Sequence, residues 1–461
     1  MRLTVIGCGY LGAVHAAAMA DLGHHVLGVE TDPARLALLA RGQAPFYEPG
    51  LDELLRRGAR TGRLRYTAEL DGAAARADVH FLAVGTPQSP SGRGADLSHL
   101  WRAVDSLAAV LPRCVHPDGM PLVVGKSTVP VGTAQQVADR LAGRALVVWN
   151  PEFLRESMAV ADTLSPDRIV YGLPAEPARA ERARTILDEV YAPILEAGAP
   201  RLTMGYQTAE LVKTAANAFL ATKISFINAM SALCAATGAD VTVLADAIGR
   251  DARIGPHFLR AGLGFGGGCL PKDLRGLEQR AAELGANGLA SFLGRVDSIN
   301  RGQRDRVTQM ALEALGPDAA GRAVTILGIT FKPDSDDLRD SPVLEVALRL
   351  ADAGAVVTVH DPRGLAGLRR LHPVLRAQPD ALRALEGAEL VILGTEWKEL
   401  TDLDPEAAAA RVARPVLIDA RNALTPSRWT AAGWDYHGIG RPSGPRRSTP
   451  RHRALAGTMV G

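Results

Sequence analysis

The sequence predicts an α/β protein with two Rossmann-like domains, each a doubly wound parallel sheet, joined by a helical central domain with a long core helix. Three observations support this prediction. Short β-rich apolar runs alternate with helical patterns up to about Gly205, an uninterrupted helical pattern follows, and the alternation resumes after Gly316. The predicted domains are 1–205, 206–316 and 317–440, followed by a disordered basic tail at 441–461.

Short continuous apolar runs are typical of parallel strands that helices cover on both faces. In the first domain they predict strands at LTVIG, HHVLGVE, DVHFLAVG, PLVVGKS, ALVVWN and RIVYG. In the last domain they predict strands at AVTILGIT, VVTVHDP, AELVILGT and PVLIDA, with a helix from Ser341 to Ala353. A helix rich in small residues is predicted between Gly12 and Gly23, and the long helix runs from Gly205 to about Asp240.

The composition indicates a folded enzyme that binds neither nucleic acid nor a membrane. A chain of 461 residues is too long for one ordinary core. The tail holds five arginines and no acidic residue, so the net charge of +2 leaves −3 for the rest, unlike a nucleic-acid-binding protein. The long helix is interrupted by polar residues, which argues against a membrane span; they are Lys213, Asn217, Lys223 and Asn228.

The four cysteines, Cys8, Cys114, Cys234 and Cys269, are far apart and form no CxxC pair. This spacing argues against a disulfide framework and against a structural zinc site, and it fits a reducing cytosol. No charged leader or small-residue cleavage site precedes the first strand, so no secretory signal is predicted. We therefore expect a cytoplasmic protein without a bound metal.

A glycine-rich loop, Gly7-Cys8-Gly9-Tyr10-Leu11-Gly12, follows the first strand and opens a helix. In this context the three glycines permit a tight turn, a close approach to a pyrophosphate and close packing of helix on strand. Glu30 ends the second strand, where a carboxylate binds the adenosine ribose and repels the 2′-phosphate of NADP. The full context disfavours the alternative of a glycine turn that binds nothing, and it predicts NAD, although Arg35 stands nearby.

The segment GFGGGCLPKD, residues 264–273, is the most informative in the chain. Three consecutive glycines let the backbone approach a ligand. Cys269 then precedes a helical run with Pro271 in its first turn, and the helix N-terminus and Lys272 are expected to favour a thiolate. The alternative is a small buried cysteine in a turn. An NAD enzyme gains from a nucleophilic cysteine when an aldehyde product must be oxidised again, so the pair predicts alcohol-to-acid oxidation.

On the long helix, Glu210, Lys213 and Asn217 share one face, which apolar neighbours predict to be partly buried. A buried lysine there suits an oxyanion formed in the reaction, and a structural pair between Lys213 and Glu210 is the alternative. Glu152 and Glu156 in NPEFLRES are four residues apart and would share a face if the segment were helical. Either could activate water, or both could be surface acids.

The chain resembles the UDP-glucose/GDP-mannose dehydrogenase family from Met1 to about residue 440. The motifs that carry the resemblance occur in order: GCGYLG, VGTP, KSTVPVGT, NPEFLRES, ELVKTAANAFLATKISFIN, GFGGGCLPKD, FKPDSDDLRDSP, HDP and IDARN. The resemblance implies an NAD-dependent oxidation of UDP-glucose to UDP-glucuronate by a homodimer, with the first domain binding NAD, the central one mediating dimerisation and catalysis, and the last binding the UDP-sugar. Gly268 stands where many relatives have Ser, and Glu30 where Asp is commoner.

Carried over to this sequence, the resemblance completes three sets of candidate residues. The catalytic set is Cys269 as nucleophile, Lys213 and Asn217 for oxyanions, Asp273 and Thr128 for a water, and Glu152 and Glu156 for acid–base work and hydrolysis. The cofactor set is Gly7, Gly9, Tyr10, Leu11, Gly12, Glu30, Arg35, Thr86, Thr128, Glu156, Lys272 and Arg339. The substrate set is Glu152, Phe153, Leu154, Lys213, Asn217, Arg253 (reaching the partner subunit's substrate), Phe258, Arg260, Phe265, Gly266, Lys332 and Arg421.

Two alternatives stay open at this point. One is a sister enzyme acting on GDP-mannose or a UDP-N-acetyl-hexosamine, which the segment ARIGPHFLRAGLGFGGG disfavours. The other is a nucleotide-sugar-binding protein that has lost catalysis, which the presence of Cys269, Lys213, Asn217 and Asp273 disfavours.

Overall fold

The computed structural model of the chain describes residues 1–70, 76–90, 94–112 and 119–442. Cys114 and the predicted tail beyond Pro442 lie outside these residues. The chain divides into two compact units. The first comprises Met1–Ser225, Phe265–Arg301 and Thr330–Ser341, and the second comprises Phe226–Gly264, Gly302–Ile329 and the chain from Pro342 onward.

The first unit is built on one sheet, for which the structure describes eight strands. They are β1 (Arg2–Ile6), β2 (His25–Val29), β3 (Leu64–Thr67), β4 (Val79–Leu82), β5 (Leu122–Gly125), β6 (Leu146–Trp149), β7 (Ile169–Leu173) and β8 (Arg201–Gly205). Their order is β3-β2-β1-β4-β5-β6-β7-β8. The order reverses direction between β1 and β4, which is the switch point where ligands bind in such sheets.

Helices accompany these strands in the described part of the first unit. They are α1 (Tyr10–Asp21), α2 (Pro33–Leu39), α3 (Leu51–Arg60), α4 (Ser98–Val110), α5 (Thr133–Arg140), α6 (Ala159–Leu164), α7 (Pro177–Val190), α8 (Ala192–Glu196) and α11 (Leu270–Glu283). Along β5, Leu122 and Val124 belong to one apolar cluster and Val123 to another, as alternation across a sheet requires. The central strands of the sheet are therefore buried on both faces.

The second unit contains a parallel six-stranded sheet of order β11-β10-β9-β12-β13-β14. Its strands are β9 (Ala323–Leu327), β10 (Val356–His360), β11 (Arg376–Ala377), β12 (Leu390–Leu393), β13 (Val416–Asp419) and β14 (Asp435–Gly438). Its helices are α10 (Val241–Gly249), α13 (Pro342–Asp352), α14 (Leu365–Leu371), α15 (Ala381–Ala384), α16 (Lys398–Thr401), α17 (Pro405–Ala409) and α18 (Pro426–Ala431). Two long helices, α9 (Tyr206–Thr237) and α12 (Asn287–Leu315), contribute residues to both units.

The predicted fold class is confirmed, with one reversal inside the first sheet. All pairs in that sheet are parallel except β6 with β7, which are antiparallel and meet at Trp149 and Gly172. Because β7 runs back from the end of β6, the segment between them stays at the carboxyl edge of the sheet. That segment carries Glu152 and Glu156.

The helix α9 is long and apolar enough to cross a membrane by length and composition alone, with a mean hydropathy of 1.4 over its most apolar window. This is weak evidence, because core helices of folded domains have the same properties. Its polar side chains are held by other parts of the protein: Lys213 pairs with Glu152, and Ser225 donates to the Val296 carbonyl. These contacts are those of a helix packed inside a domain.

Glu210 on α9 joins this helix to the N-terminus of α5. Its carboxylate accepts hydrogen bonds from the backbone N–H groups of Gly132 and Ala134, at 2.7 and 2.6 Å. The alternative of a structural pair between Glu210 and Lys213 is therefore not found. Instead, Glu210 satisfies donors that the first turn of a helix leaves without a partner.

Replacing Glu210 by Gln should lower the free energy of unfolding by about 1–2 kcal/mol, because an amide keeps only one acceptor and presents N–H groups to N–H groups. Urea-induced unfolding measures this loss of free energy. Glu196→Gln, an exposed carboxylate at the end of α8, is the matched control and should change nothing. Equal stability of both variants would contradict the capping role.

Candidate active site

The loop after β6 carries the two candidate glutamates. Residues 150–155 adopt no regular structure and a turn follows, so the helical face considered for Glu152 and Glu156 is not formed. Glu152 instead bends back within the loop, where its Oε2 accepts the backbone N–H of Leu154 at 2.6 Å. The beginning of the loop is fixed by Asn150, whose side chain donates to the Val170 carbonyl. The loop therefore presents Glu152 at the sheet edge in a defined position.

Lys213 meets Glu152 at this edge. Its Nζ lies 3.0 Å from Glu152 Oε1, and both side chains are largely buried. Burial acts to lower the pKa of Lys213, but the charges of Glu152, Asp273 and Cys269 outweigh it and raise the pKa above the ordinary lysine value. The lysine is therefore held as a cation. The Phe153 ring lies beside the same ammonium, at 5.8 Å, and beneath the Arg168 guanidinium.

One turn further along α9, Asn217 reaches the start of α11. Its Nδ2 donates to Asp273 Oδ2 at 2.7 Å, and Lys272 Nζ lies 2.8 Å from Asp273 Oδ1. Asp273 is buried. The structure thus brings together Lys213, Asn217 and Asp273. The first two were predicted to share a helix face, and the third belongs to the segment that carries Cys269.

Cys269 is the residue that precedes the first turn of α11, and Pro271 lies in that turn. Although Cys269 is accessible to solvent, the protein packed around its sulfur and the charges of Glu152 and Asp273 raise its thiol pKa to about 12, against the opposing charge of Lys213. The prediction of a Cys269 thiolate at neutral pH is therefore wrong for this arrangement. Lys272 does not supply the expected stabilisation, because it is paired with Asp273.

The glycine run packs against protein side chains. A β-carbon on Gly267, whose φ is +83°, would lie 2.7 Å from the Phe331 ring. A β-carbon on Gly268 would lie 2.5 Å from Cζ of Arg339. At both positions the missing β-carbon leaves room for a side chain of the segment Thr330–Ser341, and the approach of a ligand to these glycines stays a prediction. The loop starts at Phe265, whose N–H and carbonyl both bond to Asn300, and Gly266 is buried beside it.

Glu156 lies beside that same segment. Its Oε1 is 3.4 Å from Arg339 Nη2, its Oε2 is 3.4 Å from Ser335 Oγ, and its carbonyl accepts a hydrogen bond from Lys332 Nζ. Burial and the charge of Asp337 raise the pKa of Glu156 to about 7, while Arg339 and Lys332 oppose the shift. A carboxyl group with this pKa can both accept and release a proton near neutral pH.

The glycine loop after β1 forms a cradle that fits a dinucleotide. Gly7 has a φ of +86°, and a β-carbon on Gly12 would lie 1.8 Å from the Gly7 carbonyl oxygen. A β-carbon on Gly9 would meet only Arg35, at 3.9 Å, so the space above Gly9 is open. Glu30 follows β2 and is buried; its Oε1 accepts the Asp32 N–H and its Oε2 lies 3.4 Å from Arg35.

The two loop residues Tyr10 and Leu11 begin α1. The Tyr10 hydroxyl donates to Glu48, and Glu48 also accepts the N–H groups of Ser157 and Ala159 at 2.8 Å. The glycine loop and the loop that carries Glu152 and Glu156 are thus joined through one buried carboxylate.

Thr86 and Thr128 extend the site from the neighbouring strands. The Thr86 hydroxyl donates to the Thr128 carbonyl at 2.7 Å. Thr128 lines a small cavity together with Thr214, Lys272 and Asp273. The pairing of Thr128 with Asp273 around a water is therefore geometrically possible in this cavity.

Four candidate substrate residues belong to the second unit. Arg253 is highly exposed and pairs with Asp251, and Phe258 is exposed with a φ of +63°. Arg421 donates to the carbonyls of Gly394 and Gly264, and Arg260 lies 3.6 Å from Glu396.

Sequence reasoning missed three charged residues that hold the site: Glu48, Lys126 and Asp337. The Lys126 ammonium is buried and bonds to Asn150 Oδ1 at 3.0 Å, and burial lowers its pKa to about 8. Asp337 pairs with Arg339. The sequence did contain a signal for such residues, namely a charged residue directly beside an apolar strand or inside a motif. Lys126, for example, directly follows β5.

Comparison with known proteins gives matches over most of the chain. Models of the UDP-glucose/GDP-mannose dehydrogenase family match residues 1–195 (NAD binding domain), 207–302 (central domain) and 325–426 (UDP binding domain). The UDP-glucose 6-dehydrogenase of Rhizobium meliloti is 40% identical, covering 96% of this chain and all of its own.

Two solved structures are also similar. The UDP-glucose dehydrogenase of Pyrobaculum islandicum has a TM-score of 0.85 at 37% identity, covering 95% of this chain and 98% of its own. The UDP-D-ManNAc dehydrogenase of Pyrococcus horikoshii has a TM-score of 0.82 at 25% identity, covering 96% and 100%.

Lys213 opposes the carboxylates that raise the Cys269 pKa, so Lys213→Met should slow alkylation of Cys269 by iodoacetamide at pH 8 by about tenfold. Peptide mapping of the Cys269 peptide gives the rate. Lys398→Met removes an exposed lysine elsewhere and should leave the rate unchanged. Faster alkylation in the Lys213 variant would show that Lys213 does not act on the thiol.

Proposed function

The chain belongs to the UDP-glucose/GDP-mannose dehydrogenase family, and on that premise we propose that it oxidises C6 of UDP-glucose to the carboxylate of UDP-glucuronate with two molecules of NAD. The single observation that carries the proposal is the convergence of Cys269, Lys213, Asn217 and Asp273 at one edge of the NAD-binding sheet. The full-length similarity to UDP-glucose 6-dehydrogenases supports the substrate.

A sister activity on a UDP-N-acetyl-hexosamine or GDP-mannose is the second candidate. The Pyrococcus horikoshii enzyme shares the fold over its whole length. Its identity of 25% is lower than the 37% and 40% of the UDP-glucose enzymes, and this difference favours UDP-glucose.

The glycine cradle and Glu30 are the residues that would hold NAD, which when bound supplies the acceptor for each hydride leaving C6. In the first oxidation C6 loses a hydride and its hydroxyl loses a proton, giving the aldehyde. The Lys213 cation and the Asn217 amide are positioned to stabilise the negative charge that develops on that oxygen. Both groups are fixed before reaction, Lys213 by Glu152 and Asn217 by Asp273.

Cys269 then adds to the aldehyde carbon. Because its thiol pKa is raised, the thiol proton has to leave as the C–S bond forms. Glu152 and Asp273 are the carboxylates whose charges act on the thiol and its proton. The resulting thiohemiacetal loses a second hydride and its hydroxyl proton to become a thioester. Water attacks the thioester, the C–S bond breaks, and the carboxylate and the thiol are released.

Glu156 is proposed for the proton transfers of the hydrolysis step. Its pKa of about 7 lets it take a proton from water and return it at neutral pH. Thr128 and Asp273 are proposed to hold the water in the cavity that they share.

We further propose a homodimer that uses α9. Phe219, Phe226 and Leu233 recur every seven residues on this helix and are all more than half exposed. A stripe of large apolar side chains on one helix face is typical of an interface.

Three proposals remain. Arg253 reaches the partner's substrate, the protein is cytoplasmic, and residues 1–205, 206–316 and 317–440 act as the NAD-binding, central and UDP-sugar-binding domains.

The reaction predicts a stoichiometry of two NADH per UDP-glucose, because two hydrides leave C6. Cys269→Ser should lower turnover to the acid by a thousandfold or more, on the order seen for lost nucleophiles, since a serine hydroxyl is a weaker nucleophile than a thiol and loses its proton less readily. NADH absorbance and product mass measure both. One NADH with free aldehyde, or a near wild-type rate of the Ser variant, would rule out the covalent route.

The dimer predicts that Phe226→Glu dissociates the protein into monomers at micromolar concentration, because it buries a charge in the apolar stripe. Sedimentation velocity gives the state. Val374→Glu replaces an exposed apolar residue that is not on α9 and should leave the dimer intact. A monomeric wild-type protein would exclude the dimer and with it the role of Arg253.

A further inference from the structure

The segment Thr330–Ser341 holds Glu156 through three of its residues. Lys332 donates to the Glu156 carbonyl, while Ser335 and Arg339 each approach one carboxylate oxygen at 3.4 Å. The same segment is joined to the cysteine loop, because the Gly267 N–H donates to the Arg339 carbonyl at 3.0 Å. The candidate acid–base residue and the loop of the nucleophile are thus organised by one stretch of chain.

Asp337 determines where the Arg339 guanidinium lies within this stretch. Arg339 Nε donates to both carboxylate oxygens of Asp337 at 2.9 Å, and Nη2 lies 2.7 Å from Oδ2. Two nitrogens engaged by one carboxylate fix the plane of a guanidinium as well as its position. The held plane lies against Gly268, where a β-carbon would come within 2.5 Å of Cζ.

The Arg339 side chain is nevertheless 64% exposed. One side of the guanidinium is therefore fixed by Asp337, Glu156 and the Gly268 backbone, and the rest is open to a ligand. A guanidinium that is already oriented loses less entropy when it binds an anion.

We propose that Asp337 is a positioning residue that holds the Arg339 guanidinium beside Glu156. The consequence for the reaction rests on the proposed function of Glu156. The consequence for cofactor binding depends on the ionisation of Glu156 and the orientation of Arg339, and it is measured without sugar or turnover.

The groups around Glu156 determine in which direction its pKa should move when the charge of Asp337 is removed. Asp337, Arg339 and Lys332 face it from the segment, the Tyr10 hydroxyl from α1, and the Cys269 thiol from the glycine loop. Burial and Asp337 raise the pKa of Glu156, so removing the Asp337 charge should lower it. Any property that depends on ionised Glu156 should then appear at lower pH.

The test compares Asp337→Asn with Asp334→Asn. Asp334 is exposed in the same segment with a φ of +60°, a conformation that Asn also tolerates, so the control loses one charge without touching Arg339. Both variants and the wild type are titrated with NAD by calorimetry from pH 5.5 to 8.5 in the absence of any sugar, and kcat with UDP-glucose is measured over the same range.

The pH step near 7 in NAD affinity and in kcat should move down by about one unit in Asp337→Asn and stay in place in Asp334→Asn. Arg339→Lys should weaken NAD by about tenfold, because an ammonium lacks the planar fork that Asp337 orients, and adding Asp337→Asn should weaken it no further, because both changes act through the Arg339 guanidinium. The proposal would be overturned if the pH dependence of NAD affinity were unchanged in Asp337→Asn, or if the losses of NAD affinity added up in the double variant. Absence of turnover with UDP-glucose alone would instead count against the proposed substrate.

Discussion

The arrangement of the site depends on the pair between Lys213 and Glu152. Both groups are largely buried at a separation of 3.0 Å, and breaking such a pair by removing one partner costs about 3–5 kcal/mol because the other charge is left without compensation. The pair therefore fixes α9 against the loop after β6. Asn217, one turn along α9, then reaches Asp273 and so positions the helix that begins after Cys269. Each later element of the site takes its place relative to this contact.

A second constraint is the close packing of glycines at the ends of strands and loops. Gly12 lies against the Gly7 carbonyl in the dinucleotide cradle, and Gly268 lies against Arg339 in the cysteine loop. In the first case the missing β-carbon brings a helix to a strand. In the second it brings a charged side chain over the loop of the nucleophile. The same residue type thus serves backbone packing at one place and side-chain placement at another, which a glycine motif alone does not distinguish.

The central strands were predictable and the edge strands were not. Every strand missed from the sequence, β3, β8, β11 and β14, lies at the edge of its sheet. Central parallel strands are covered on both faces and read as continuous apolar runs, whereas an edge strand such as β8 is mostly exposed and carries no such signal. The reversal at β7 was also invisible, because strand direction depends on the path of the connection.

Within the site, helical spacing placed Lys213 and Asn217 on one face but could not supply their partners. Glu152 and Asp273 are 61 and 56 residues away along the chain, and only the fold brings them to α9. The ionisation of Cys269 was misjudged for the same reason. A helix N-terminus and an adjacent lysine are local features that favour a thiolate. Burial of the sulfur, together with the charges of Glu152 and Asp273, outweighs them, and the burial and Glu152 come from parts of the chain that only the fold brings to Cys269.

The raised thiol pKa has a consequence for the order of proton transfers. A thiol that keeps its proton at neutral pH is a weak nucleophile, which slows its oxidation and alkylation between turnovers. Its proton must then move when the C–S bond forms, and a proton must be returned when the thioester is hydrolysed. Glu156, whose pKa of about 7 lies between that of a free carboxylic acid and that of the thiol, can hold a proton at one stage and give it up at the other. The charges that Asp337 and Arg339 place beside Glu156 therefore act on the hydrolysis step through its proton.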